Sequence, residues 1–167
     1  IRFKGPAAYI ADLDRSRAFY EGLLGLTVRR VMSRGEAPIA VAYTEGLSIW
    51  LASDAYASLG GDASLAPQDL RGGAWENTFE TDGYEEIYGR LQAAGAEFLY
   101  EPRTLPWGQR GFRVYDPDGH IIDISESMSA SVRRQAAEGK TLEQISATSG
   151  FALDEVRRMV TGEAGRA

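Results

Sequence analysis

The sequence predicts an α+β fold of two tandem βαβββ modules followed by a helical extension. Three observations carry that reading. The order strand, helix, three strands occurs twice, with a period of about half the globular part, which marks an internal duplication. Both repeat helices run into a glycine at the corresponding place, Gly25 and Gly95. The stretch from Pro106 to Glu126 holds two strand-like runs, Phe112 to Tyr115 and Ile121 to Ser125, joined by Asp116-Pro117-Asp118-Gly119. Proline presets φ at the first central position of such a turn, and glycine admits φ > 0 where the chain re-enters the ladder.

The first module opens with a strand from Phe3 to Ile10. Ala8 and Ile10 share one face of it; Gly5, Ala7 and Tyr9 share the other, because side chains alternate along a strand. Asp12 or Asp14 caps the helix from Ser16 to Leu24 by accepting from an orphan N–H. Strands follow at Thr27 to Ser33, Ile39 to Tyr43 and Leu47 to Ala52. The second module runs through a strand at Glu76 to Thr81, a helix at Tyr84 to Ala94, and strands at Glu97 to Tyr100, Phe112 to Tyr115 and Ile121 to Ser125. In its first strand Glu76, Thr78 and Glu80 share one face, and Phe79 and Thr81 the other. In its last strand alternation sets Asp123 on the face opposite His120, which is expected to be a turn or helix-packing residue.

The repeats occupy about residues 3–53 and 75–126 within a domain of 1–127. The connection 54–74 is rich in small residues and reads as a partly helical linker or a flap. The tail, 128–167, holds helices at Ala130 to Glu138, Leu142 to Thr148 and Leu153 to Val160. Thr141-Leu142-Glu143-Gln144 is a capping box, and the last two helices have helix-turn-helix proportions.

Composition narrows the chemistry. The 167 residues carry a net charge of −6, which argues against nucleic acid or an anionic membrane as partner. Basic and acidic residues in the tail nearly cancel, so it is expected to pack on the domain or on a partner subunit rather than to read DNA. The absence of cysteine removes thiolate ligands and nucleophiles, and one histidine limits imidazole chemistry to a single group. No apolar run approaches the roughly 20 residues that span a bilayer. No signal-peptide pattern opens the chain, so a cytoplasmic location is expected.

The duplication and its hairpin resemble the vicinal oxygen chelate superfamily, which includes glyoxalase I, bleomycin-resistance proteins and extradiol dioxygenases. The residues that carry the resemblance are Ala11-Asp12-Leu13-Asp14-Arg15-Ser16-Arg17-Ala18-Phe19-Tyr20 with Leu23-Leu24-Gly25-Leu26, then Phe79-Glu80-Thr81-Asp82-Gly83, Ala93-Ala94-Gly95-Ala96, Pro106-Trp107-Gly108-Gln109-Arg110 and Asp116-Pro117-Asp118-Gly119-His120. The resemblance covers residues 3 to 126 and implies a half-open, barrel-like mixed sheet with the ligand inside. It also implies a homodimer.

Metal-dependent members of that superfamily place four ligands on the concave face. Carried over, the four positions fall at Gly5, Trp50, Glu76 (Trp75 with a one-residue slip) and Asp123. Glycine offers no side chain and an indole N–H only donates. Zinc and iron sites want three protein ligands with nitrogen among them, so no bound transition metal or other cofactor is expected. Glu76 and Asp123 could at most hold a weak divalent cation among waters. The expected ligand-binding set is Tyr9, Trp50, Glu76, Thr78, Glu80, Trp107, Arg110 and Asp123. Aromatic walls with a few carboxylates suit a flat or cationic organic molecule. The reading is therefore a metal-free small-molecule binder, protective against a drug or toxin. One alternative is a lyase, isomerase or dioxygenase with an atypical ligand set, Glu76 and Asp123 being the catalytic candidates. Another is a ligand-sensing regulator with a helix-turn-helix-like tail.

Overall fold

The computed structural model describes residues 5–58 and 63–162. The start of the first expected strand, part of the linker and the last five residues of the tail lie outside these. The strands are β1 (Ala7–Ile10), β2 (Val28–Arg34), β3 (Ala37–Tyr43), β4 (Ser48–Leu51), β5 (Gly72–Thr81), β6 (Phe98–Thr104), β7 (Arg110–Tyr115) and β8 (His120–Glu126). They form two four-stranded mixed sheets, ordered β1-β4-β3-β2 and β5-β8-β7-β6. The same order in both, with each module's last strand beside its first, is the structural form of the duplication. The helices are α1 (Leu13–Arg17), α2 (Ala52–Ser58), α3 (Tyr84–Ala93), α4 (Met128–Ala137), α5 (Leu142–Ser149) and α6 (Leu153–Thr161). No helix among the described residues is long and apolar enough to cross a membrane.

By contacts the chain divides into two compact units. One comprises Ile1–Glu76, Gly89–Glu97 and Tyr115–Ile121; the other comprises Asn77–Tyr88, Phe98–Val114 and Ile122–Ala167. The second module's hairpin turn thus belongs with the first module's sheet.

In the first unit, β1 pairs parallel with β4, and β3 pairs antiparallel with β4 and β2. Ala8, Ile10 and Ile49 are buried on one face. Asp12 is the cap of α1, accepting from the Arg15 N–H at 2.9 Å. The helix does not run on unchanged to Leu24. It widens into a π-helical turn, Ala18–Leu23, in which the Leu24 N–H reaches back five residues to the Phe19 carbonyl at 3.0 Å. The wider turn buries two consecutive rings, Phe19 and Tyr20, which meet edge-on with centroids 5.2 Å apart.

Tyr20 leads to the polar centre of this unit. Its hydroxyl donates to Asp116 Oδ2 at 2.7 Å, and His120 Nδ1 meets the same oxygen at 2.8 Å. The N–H groups of Asp118 and His120 donate to Asp116 Oδ1 at 3.0 and 2.8 Å. Burial alone would raise the Asp116 carboxyl, but these donors outweigh it and hold it below its ordinary value. Burial likewise lowers His120, yet the Asp116 hydrogen bond and charge leave the imidazole above its ordinary value of 6.5. Desolvation first, then the Asp116 charge, push the Tyr20 hydroxyl well up. The next turn residue, Asp118, accepts from Arg15 Nη2 at 2.7 Å, Ser16 Oγ at 3.2 Å and the Ala11 N–H at 3.2 Å. The hairpin turn is therefore bolted to α1 by two carboxylates, and His120 is a packing residue of that turn.

In the second unit, Phe112 is fully buried within ring contacts of Tyr84, Tyr88 and Phe98, at centroid distances of 5.4 to 5.7 Å. Strand β8 departs from alternation: Ile122, Asp123, Ile124, Ser125 and Glu126 are all buried. A strand in the middle of a sheet with both faces covered has no solvent side to reserve for polar residues. The tail forms a three-helix cluster around Val132, Ile145 and Val156, with Leu142, Phe151 and Met159 packed against them. The expected capping box is present, Gln144 N–H to Thr141 Oγ1 at 3.2 Å and Thr141 N–H to Gln144 Oε1 at 2.9 Å.

The Asp116–His120 pair makes stability depend on pH with a definite sign. A histidine raised in the folded state contributes fully below its unfolded value, and the contribution fades as pH rises through the folded value. The lowered Asp116 contributes above its unfolded value and is lost as pH falls. In urea unfolding, the stability advantage of the wild type over His120→Gln should shrink as pH is raised from about 6 into the alkaline range. Asp116→Asn should cost about 3 kcal/mol at neutral pH, as loss of one partner of a buried pair does. A wild-type advantage that stays constant across that range would contradict this assignment.

Candidate functional site

Of the expected ligand-binding face, the first unit contains Gly5, Tyr9, Trp50 and Glu76. Gly5 has φ +95°, and a Cβ there would stand 2.2 Å from the Gly46 carbonyl oxygen. Gly5, expected to be the first ligand position, is thus filled by a close approach of two backbones and admits no side chain. Tyr9 and Trp50 are register partners on β1 and β4. Parallel register partners project to the same face. Both rings are half-buried, while Ile10 and Ile49 beside them are fully buried. Tyr56, from α2, packs edge-on against Tyr9 with centroids 5.9 Å apart. The result is a patch of three half-exposed aromatics on one sheet face. Sequence reasoning missed Tyr56 because α2 was expected to be linker. The available signal was one aromatic in a run of small residues, Asp54-Ala55-Tyr56-Ala57. Glu76 is exposed on β5.

The second unit holds Thr78, Glu80, Trp107, Arg110 and Asp123. Thr78 and Glu80 are exposed on β5, alternating with buried Asn77 as expected. Gln109, which sequence reasoning passed over, links two of the expected residues. Its Nε2 donates to Glu80 Oε1 at 2.9 Å and to the Glu126 carbonyl at 2.7 Å. Its Oε1 accepts from the Trp107 indole N–H at 2.7 Å. Arg110 is engaged structurally: its N–H donates to Glu126 Oε1 at 2.9 Å, and its guanidinium meets Glu85 at 2.7 Å and lies over the Tyr84 ring.

Glu126 is the anchor of the tail. Arg134 of α4 donates to it at 2.6 Å and to the Gly108 carbonyl at 2.8 Å. Burial tends to raise the Glu126 carboxyl; Arg134 and the Arg110 N–H outweigh that and lower it. The one signal for this role in the sequence was an acidic residue two positions before the first tail helix.

Asp123 lies buried on β8 with Oδ1 3.9 Å from Nε of Arg113 on β7. Arg113 also donates to the Tyr100 hydroxyl, and Arg103 stacks on that same ring at 3.5 Å. Asp123, expected to be the fourth ligand position, therefore faces a fixed positive charge. Among the described residues no three His, Asp or Glu side chains are grouped to hold a metal ion. A backbone contact at Gly5, an indole at Trp50 and a guanidinium beside Asp123 do not fit the superfamily's metal site.

The glyoxalase-like domain family matches residues 3–129 of the chain. A bleomycin resistance protein of Geobacillus stearothermophilus is 24% identical over 131 residues, spanning 75% of this chain and 96% of its own. Among solved structures, a protein of unknown function from Agrobacterium tumefaciens superposes with a TM-score of 0.67 at 26% identity, over 77% of this chain and 95% of its own. A glyoxalase-related enzyme from Fulvimarina pelagi superposes with a TM-score of 0.58 at 26% identity, over 75% of this chain and 88% of its own.

Removing the tail's anchor should be costly. Glu126→Ala strands Arg134 and the Arg110 N–H, and is expected to lower unfolding free energy by about 3 kcal/mol. In limited proteolysis its tail should be cleaved before the rest of the chain. Equal melting temperature and an equally resistant tail would contradict the anchoring role.

Proposed function

The chain belongs to the glyoxalase-like domain family, within the vicinal oxygen chelate superfamily, and we propose that it binds a small, flat organic molecule without a resident metal. The observation that carries this reading is the half-exposed patch of Tyr9, Trp50 and Tyr56 on one sheet face. Aromatic faces attract flat and cationic ligands through stacking and through the ring quadrupole. Trp50 is the second superfamily ligand position, so at that place ring contact replaces coordination.

A relative named for resistance to bleomycin favours sequestration of a drug or toxin over turnover. Catalysis by a Glu76–Asp123 acid/base pair is the weaker reading, because Asp123 has a guanidinium for a neighbour and no metal fit supports substrate polarisation.

We also propose that the protein works as a homodimer. Strand β2 is an edge of its sheet, and its side chains are exposed on both faces, Val28 at 37% and Val31 at 40%. A seven-residue edge of this kind is a site for pairing with another copy.

A thermal-shift screen of basic and neutral polycyclic aromatics should find compounds that raise the melting temperature, since a ligand of the folded state stabilises by mass action. Trp50→Ala and Tyr56→Ala should each weaken the best of them about tenfold or more. Unchanged affinity in both variants would remove the patch as the site. Sedimentation equilibrium should give twice the chain mass, and Val31→Lys should reduce it to one; a wild-type monomer at micromolar concentration would end the dimer proposal.

A further inference from the structure

We infer that the groove beside the π-helical turn is a second binding site, for a small organic anion with an apolar body. The groove has a volume of about 500 Å³ and is built wholly from the first unit. That volume falls in the range of small-molecule sites, which combine apolar walls with a few placed polar groups.

One wall is the π-helical turn itself, through Ala18, Phe19 and Leu23. Such turns are rare and concentrate at functional sites. Ala94-Gly95-Ala96, just past the end of α3, also line the groove with side chains too small to fill the space.

The rim carries the charge. The Arg71 guanidinium lies 4.2 Å from the centroid of the Tyr115 ring and is held by both carboxylate oxygens of Glu97, at 3.0 and 3.3 Å. A bidentate fork on an aromatic face is the geometry arginine offers to a carboxylate. Its seat is shaped by the hairpin turn: a Cβ at Gly119 would stand 3.0 Å from the Arg71 side chain. Glu97 is 63% exposed and Arg71 51%, so water already competes for the pair and it is weakly held. Glu97 therefore acts as a stand-in that a ligand carboxylate can displace, the ligand's apolar part then lying against Phe19 and Leu23. Arg15 and Asp116 also line the groove, but each is already paired, Arg15 with Asp118 at 2.7 Å and Asp116 with Tyr20 and His120, so Arg71 is the group that meets the ligand's charge. This site is separate from the aromatic patch and does not depend on it.

The test uses three probes, benzoate, 3-phenylpropanoate and octanoate, with 3-phenylpropanamide as the neutral control, in calorimetry on the full chain. At least one acid should bind with Kd of about 1 mM or tighter, and the amide about tenfold more weakly. Arg71→Gln should weaken the acid about tenfold, while Glu97→Gln, which frees Arg71, should tighten it several-fold. Ala18→Trp and Ala94→Trp each place a large ring at a lining position of the groove; at least one should keep the wild-type melting temperature and abolish binding. Trp50→Ala should leave it unchanged. The inference is overturned by no binding of any acid at about 10 mM, by equal affinity for acid and amide, or by failure of Glu97→Gln to tighten. Loss of binding through Trp50→Ala alone would also overturn it, and would assign the probe to the aromatic patch.

Discussion

A carboxylate removed from water has to find donors for its lone pairs within the protein or lose its charge. Asp116, with no exposed side-chain surface, finds four: a phenol, an imidazole and two backbone N–H groups. Those donors come from the hairpin turn and from the π-helical turn some hundred residues earlier in the chain. The geometry of both turns is therefore set together. A type of turn that would otherwise be a mobile surface loop becomes the fixed point of the first unit. Asp118, the second acid of the turn, repeats the device on the capped start of α1.

From that fixed point follow the two faces on which small molecules could be held. The β1–β4 register that sets Tyr9 beside Trp50 leaves aromatic surface on one side of the sheet. The π-helical turn and the hairpin leave a groove with a stacked arginine in another part of the same unit. The second unit contributes different chemistry. Its expected site residues are largely committed to one another, through Gln109 between Glu80 and Trp107, and through Glu126 between Arg110 and Arg134. Such networks fix loops and anchor the tail helix; they leave fewer groups free to meet a ligand.

The fold was legible because duplication, alternation and turn chemistry are local signals. Every expected strand and helix has a counterpart, and the hairpin falls between the strands that its Asp-Pro-Asp-Gly announces. What was not legible depends on partners distant in sequence. Nothing local says that α1 will widen at Ala18; that follows from burying Phe19 and Tyr20 together. Alternation sets Asp123 opposite His120, but it does not show that β8 is covered on both faces and that Asp123 meets Arg113. His120 was readable as a packing residue from its face alone, but the buried acid it serves was not. Tyr56 and Gln109 were overlooked because each belongs to a segment whose shape only the fold determines.

At the position of Trp50, the proposal is that ring contact takes the place of metal coordination. Elemental analysis of protein purified from metal-replete cells without chelators tests it most directly. Zinc, iron, nickel and manganese should each be found well below one ion per chain, with aromatic-ligand binding unaffected by added chelator. One tightly held ion per chain, whose removal abolishes that binding, would contradict it.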